Sequence, residues 1–343
     1  MKRQIVIASL FLLTVFFAPT VLAQGENCIE FRKRVNTTYN FKPAKLTAEE
    51  REAKSVAMDK VWNEVKANHQ KLLPCLKEAI NSQMNDKFFR FDASNLLIQL
   101  DQSEESKKIL IKTYAEVDFE DINLRYWMPY IAILGYEGFD TSGAGENWLK
   151  SPKPEYYLPQ HGTLKVDKAI GALIIYGSMD EKIATPALEK IALQENHPAR
   201  EIAVKLLMQQ MTPESFQALR KLNQKGLSEN ARQNINTFLT KPKLLAAREG
   251  EPKITRQQYL DAFNQLVKGK SRAFIDLTIE VSDGEKDAVA VLKEEDIPLV
   301  RKARRFFAAT ANPHSAEWYK SFTDILIALI WKPEITEQKA KVN

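Results

Sequence analysis

Asn196-His197-Pro198-Ala199-Arg200-Glu201-Ile202-Ala203-Val204-Lys205-Leu206-Leu207 sets a helix-capping residue four places before an arginine, with a small residue three places after it and apolar residues six and seven after. The same offsets return at Asp86…Arg90…Ala93…Leu96-Leu97, at Asp121…Arg125…Met128…Ile131-Ala132 and at Ser228…Arg232…Ile235…Phe238-Leu239. Offsets of three, six and seven lie on one face of an α-helix. Each unit is therefore an amphipathic helix whose stripe has to be covered by a neighbour, and recurring units of this kind stack into an α-solenoid. The capping positions 86, 121, 196 and 228 stand 35, 75 and 32 residues apart. The interval of 75 divides at His161-Gly162-Thr163, which opens an apolar helix containing Val166, Ala169, Leu173 and Ile174 but no arginine. The expected fold class is all-α, a solenoid of helix pairs.

The flanks read in the same terms. Thr47-Ala48-Glu49-Glu50 is a capping box opening a helix through Val56, Val61, Trp62 and Val65 to about His69, and a shorter helix follows with Leu72, Leu76 and Ile80. The stretch from Lys241 to Thr255, with Pro242, Gly250 and Pro252, ends the period and reads as a linker. Thr255-Arg256-Gln257-Gln258 is another capping box, opening a helix with Tyr259, Phe263 and Leu266. Ile275, Leu277, Ile279 and Val281 alternate with polar residues before Asp283-Gly284 and Val289-Ala290-Val291, so residues 274–292 read as a β-hairpin or, on nearly equal terms, as a helix. Trp318, Phe322, Ile325 and Leu329 mark the last helix, behind Asn312-Pro313. The expected organisation is a leader at 1–23, an irregular N-terminal cap segment at 24–45, helical repeats over 46–240 with an insertion at 135–163, a linker at 241–255, a mostly helical C-terminal module at 256–333 and a flexible tail at 334–343.

MDEKIATPALEKIALQENHPAREIAVKLLMQQ, Met179 to Gln210, resembles a HEAT-type repeat of the short, phycobilisome-lyase-like variety. Its first helix carries Ala184, Pro186 and Leu188, and its second Arg200, Ala203 and Leu207. The likeness is partial at Asp86, Asp121 and Ser228, where Met128 and Ile235 stand for the small residue, and poor beyond about Lys241. The resemblance implies HEAT-like helix pairs and a habit of binding; it carries over no lyase residue. Arg90, Arg125, Arg200 and Arg232 are accordingly read as structural, a ladder between adjacent repeats.

Lys2-Arg3, the apolar run from Ile5 to Phe17 and the small-residue site Val21-Leu22-Ala23 have the form of a secretory signal cleaved near Ala23. The run falls short of the ~20 residues a membrane span needs. The expected mature chain is an exported, periplasmic or extracellular, soluble protein without a transmembrane span. Removing the leader takes the formal charge from +5 to +3, too mild a balance to argue for nucleic acid. Cys28 and Cys75 are the only cysteines, and in an oxidising compartment they are expected to form one disulfide that pins the N-terminal segment over the first helices.

Five of the twelve glycines and three of the fifteen prolines gather between Gly135 and Thr163, which marks this stretch as the insertion. Tyr136, Phe139, Trp148, Tyr156, Tyr157 and His161 lie in or beside it and are the candidate binding residues, because aromatic rings offer large contact area with a polar handle. The opposing reading is that these rings plug a gap where two repeats splay apart. Arg301, Lys302, Arg304 and Arg305 form a basic run, read as a solvated helical face and alternatively as a dock for an acidic partner. No H-E-x-x-H, G-x-S-x-G or phosphate-loop pattern occurs, and the four histidines stand alone. The expected function is therefore non-enzymatic binding or scaffolding, without cofactor or metal, of a protein or an envelope polymer. An exported hydrolase acting on saccharide or peptide, using Glu137, Asp140, Glu146 or Glu155 near His161, is the alternative.

Overall fold

The Glu50 amide donates to Thr47 Oγ1 at 3.2 Å and the Thr47 amide to the Glu50 carboxylate at 2.8 Å. This capping box satisfies two of the free donors that open every helix. It starts helix α2 (Ala48–Ala67) where the sequence places it. A computed structural model describes residues 28–38, 46–82, 87–117, 124–151, 155–157, 165–240, 242–269, 284–311 and 315–342. The fold is all-α, and two compact units divide at residues 122 and 123. The leader and its cleavage site lie outside the described residues.

The first unit holds α1 (28–38), α2, α3 (His69–Asn81), α4 (Lys87–Leu100) and α5 (Glu104–Tyr114). Part of the N-terminal segment read as irregular is the helix α1. Cys28, Phe31 and Val35 recur at helical spacing, and all three are buried. They join Val65, Leu76, Ile80, Phe89 and Leu97 in one core. The Cys28–Cys75 disulfide ties α1 to α3.

The second unit begins with α6 (Leu124–Tyr136) and α7 (Ser142–Lys150). Strands β1 (Glu155–Tyr157) and β2 (Lys165–Asp167) follow, paired antiparallel with Tyr156 opposite Val166. The apolar helix expected from residue 162 starts later, as α8 (Lys168–Ser178), because the Asp167 carboxylate accepts the Ile170 amide at 2.7 Å and caps it there. Next come α9 (Glu181–Ala192), α10 (Arg200–Gln210), α11 (Pro213–Lys221) and α12 (Glu229–Thr240), each packed on its sequence neighbour. Ser228 caps α12 through the Ala231 amide. Asn196 does not cap α10: the chain turns through Pro198, and the Ala199 amide instead donates to His197 Nδ1 at 3.1 Å.

Beyond the linker lie α13 (Arg256–Leu266), α14 (Gly284–Val291), a 3-10 turn (Glu294–Asp296), α15 (Ile297–Ala309) and α16 (Ser315–Val342). Val289-Ala290-Val291, read as a strand of a hairpin, is helical in α14; its buried side is Gly284, Asp287, Ala288 and Val289. Residues 275–281 lie outside the described residues. The backbone of α16 stays helical to Val342, past Glu334 where a flexible tail was expected, consistent with the Glu, Gln, Ala and Lys that fill this stretch.

The basic run of α15 is not a solvated face. Arg304 is wholly buried and donates to the Gln209 carbonyl at 2.5 Å and to Glu181 at 3.1 Å. Arg301 donates to the carbonyls of Gln210, at 2.8 Å, and Met211. Arg305 reaches the Ser178 carbonyl at 3.1 Å, Asp180 at 3.0 Å and the Tyr136 carbonyl at 3.3 Å. The last carbonyls of a helix have no amide within it, and three arginines of one helix supply donors to the ends of α6, α8 and α10. Only Lys302 of the run is exposed.

Candidate functional site

Among the candidate binding residues with described side chains, Trp148 is buried and Tyr136 and Phe139 are partly buried. Trp148 is fully buried, stacks on Trp127 at 5.6 Å between ring centres and donates its indole N–H to the Lys168 carbonyl at 2.9 Å. Tyr136 meets Phe306 edge-on at 5.5 Å beneath the Arg305 guanidinium, and burial raises its hydroxyl pKa. Phe139 is partly buried. Tyr156 and Tyr157 are described in backbone only, and His161 lies outside the described residues. Trp148 has no surface left to offer a partner, so this part of the insertion serves as packing.

Of its described carboxylates, Asp140 and Glu146 line one small pocket of about 270 Å³ beside Tyr176. Glu146 binds Lys150 at 2.5 Å and Lys190 at 3.6 Å, and the Lys150 hydrogen bond holds its carboxyl below the ordinary range. Such a group is ionised and has no proton to give. The Asp140 carboxylate accepts the Ser142 amide at 2.9 Å. Glu137 is exposed, and the Glu155 side chain is not among those described.

Two of the four repeat arginines share a geometry. Arg90 Nε donates to the Ile80 carbonyl near the end of α3 at 2.7 Å, and its guanidinium pairs with Glu116 beyond α5 at 2.8 Å. Arg200 Nε donates to the Ala192 carbonyl ending α9 at 2.8 Å, and its guanidinium reaches the Lys225 and Asn223 carbonyls beyond α11 at 2.6 and 2.5 Å. Each arginine thus holds the helix before its own and the turn after the next. Arg232, exposed, pairs with Glu229 of its own helix at 2.7 Å, and the Arg125 side chain is not described.

A further concavity lies elsewhere in the second unit. It is a groove of about 1060 Å³ between α8, α10, α12, α16 and the extended residues 242–246. Its lining is mostly apolar, with Leu173 from α8, Ile202 and Leu206 from α10, Phe238 from α12, Leu245 from the linker and Ile327 from α16, and includes the polar side chains of Gln209, Asn234, Thr237 and Thr323. Charge is confined to Asp167, Lys205, Lys243, Lys320 and Asp324. The linker wall is held at its far end, where Arg248 donates its amide to the Lys286 carbonyl at 3.1 Å and pairs with Asp287. Asp287 is fully buried and also accepts the Lys253 and Ile254 amides at 3.0 and 3.2 Å. The sequence reading passed over this site. Its one local signal was the apolar pair Leu244-Leu245 inside a segment read as linker.

Among the described residues no group of three His, Cys, Asp or Glu side chains is placed to hold a metal ion, and no helix is long and apolar enough to cross a membrane. No family profile matches the chain, and no curated protein or solved structure matches it either.

Proposed function

We propose that this chain is an exported, non-enzymatic binding protein built on HEAT-like helix pairs, and that its binding surface is the groove between α8, α10, α12, α16 and the linker. The observation that carries this reading is a groove of about 1060 Å³ whose lining is mostly apolar with a few polar and charged side chains, a composition suited to holding a ligand. The repeat assignment draws support from two devices common to α3/α4 and α9/α10. Pro74 and Pro186 each stand at the sixth residue of the first helix, and Arg90 and Arg200 clasp from the second. Export draws support from the leader-like N-terminus and from the disulfide.

The test is affinity purification of the full chain from its native extracytoplasmic fraction beside Met208→Trp, a substitution that fills the groove from its α10 wall. A protein or envelope polymer retained by the parent and lost from the folded variant is the expected result. Turnover of a saccharide or peptide that survives Met208→Trp and disappears in Glu146→Gln overturns the reading in favour of a hydrolase.

A further inference from the structure

We propose that His197 is a pH-sensitive latch on the turn between α9 and α10: the neutral imidazole holds the turn closed by accepting the buried Ala199 amide, and protonation releases it. Ala199 is 1% exposed, and its N–H donates to His197 Nδ1 at 3.1 Å. No backbone carbonyl among the described residues accepts that amide, so the ring supplies the acceptor that a buried N–H requires. An Nδ1 that accepts carries no proton, which places the single ring hydrogen of the neutral form on Nε2. Nε2 is itself enclosed and has no partner among the described residues. A second proton can therefore go only to Nδ1, where it meets the Ala199 N–H; donor then faces donor and the bond is lost.

The turn is a joint between repeats. The His197 amide donates to the Gln194 carbonyl at 3.0 Å, and the His197 carbonyl accepts the Arg200 amide at 3.0 Å. Arg200 in turn clasps the end of α9 and the turn beyond α11. The charged groups acting on the ring are Lys150 and Glu146 of α7 and Lys168 at the start of α8. Burial first, and then the two lysines against the pull of Glu146, hold the ring's pKa below its ordinary value. The closed turn accordingly binds fewer protons than the open one. Its stability is complete above the open-state value of about 6.5 and is lost as pH falls from there to the native value.

Hydrogen exchange of the full chain, read by mass spectrometry at pH 8 and pH 5 beside His197→Asn, tests this. An asparagine side chain accepts the amide two residues on and does not titrate. Comparison of the two proteins at the same pH cancels the intrinsic exchange rate. The expected result is equal protection across residues 193–203 at pH 8 and about tenfold weaker protection in the parent at pH 5. Equal protection at pH 5 overturns the latch. Nitrogen NMR of the parent's His197 ring keeps the proposal testable if the variant fails to fold. It is expected to show the Nε2–H form at pH 8 and a titration midpoint below about 6.5. An Nδ1–H form, or a midpoint at or above that value, overturns the proposal.

Discussion

Asp92, on α4, is a carboxylate that burial has pushed to a pKa of about 7. Unfolded, it titrates near the ordinary value of about 3.9. Between these two values the native state binds the extra proton, so this group makes stability fall as pH rises from about 4 to about 7, and the penalty is complete above that window. Three pK units correspond to about 4 kcal/mol; partial exposure of the residue brings the expected effect to about 2–4 kcal/mol. Asp92→Asn removes the titration, so urea unfolding at pH 5 and pH 8 shows the variant gaining stability over the parent at pH 8 by that amount. Equal differences at the two pH values would sink the assignment. Arg90 and Arg200 show the opposite outcome for a buried charge. Each turns its donors onto carbonyls or a carboxylate at helix ends, where a lysine, with no fork of donors, cannot replace it.

At the scale of elements, α7 and α8 are held together by reciprocal exchange of glycine and ring. A Cβ on Gly145 would stand 2.7 Å from the Tyr176 ring, and one on Gly171 would fall well inside contact distance of the Trp148 ring. Gly145 is thus the space α7 yields to an aromatic of α8. Alanine normally outranks glycine in a helix by about 1 kcal/mol. Gly171→Ala nevertheless costs about 1–3 kcal/mol, since Trp148 is fixed by Trp127 and by its bond to Lys168. Thermal unfolding reads this, and a Gly171→Ala protein more stable than the parent would show that the ring is free to move. The same logic explains α14. Alternation of Val and Ala fits strand or helix alike, and only packing against α13 and α16 decides between them.

For the whole molecule, the disulfide is the covalent tie of the first unit. Cys28 and Cys75 lie 47 residues apart, and in the chain-entropy model closing such a loop stabilises by about 4 kcal/mol. Cys28→Ser/Cys75→Ser is expected to lower the stability of that unit by about this amount and to speed amide exchange first across residues 28–38, read by mass spectrometry. Unchanged protection of α1 would mean that Phe31 and Val35 hold it without the bond. In the second unit the comparable role falls to α15, whose three arginines gather the ends of α6, α8 and α10.

Helix class, the start of α2 and α13, the Cys28–Cys75 pairing and the apolar faces of α4, α6 and α10 were legible in the residues alone, because capping and helical periodicity are local and involve partners within a few positions. What the arginines of α15 do, where Trp148 points and where a groove opens were not. Each depends on groups brought together from far apart in the chain: Arg304 with Glu181 and Gln209, Trp148 with Gly171, Leu245 with Leu173 and Ile327. A charged or aromatic side chain reads the same in sequence whether water or a helix end receives it, and only the tertiary packing decides which is nearer.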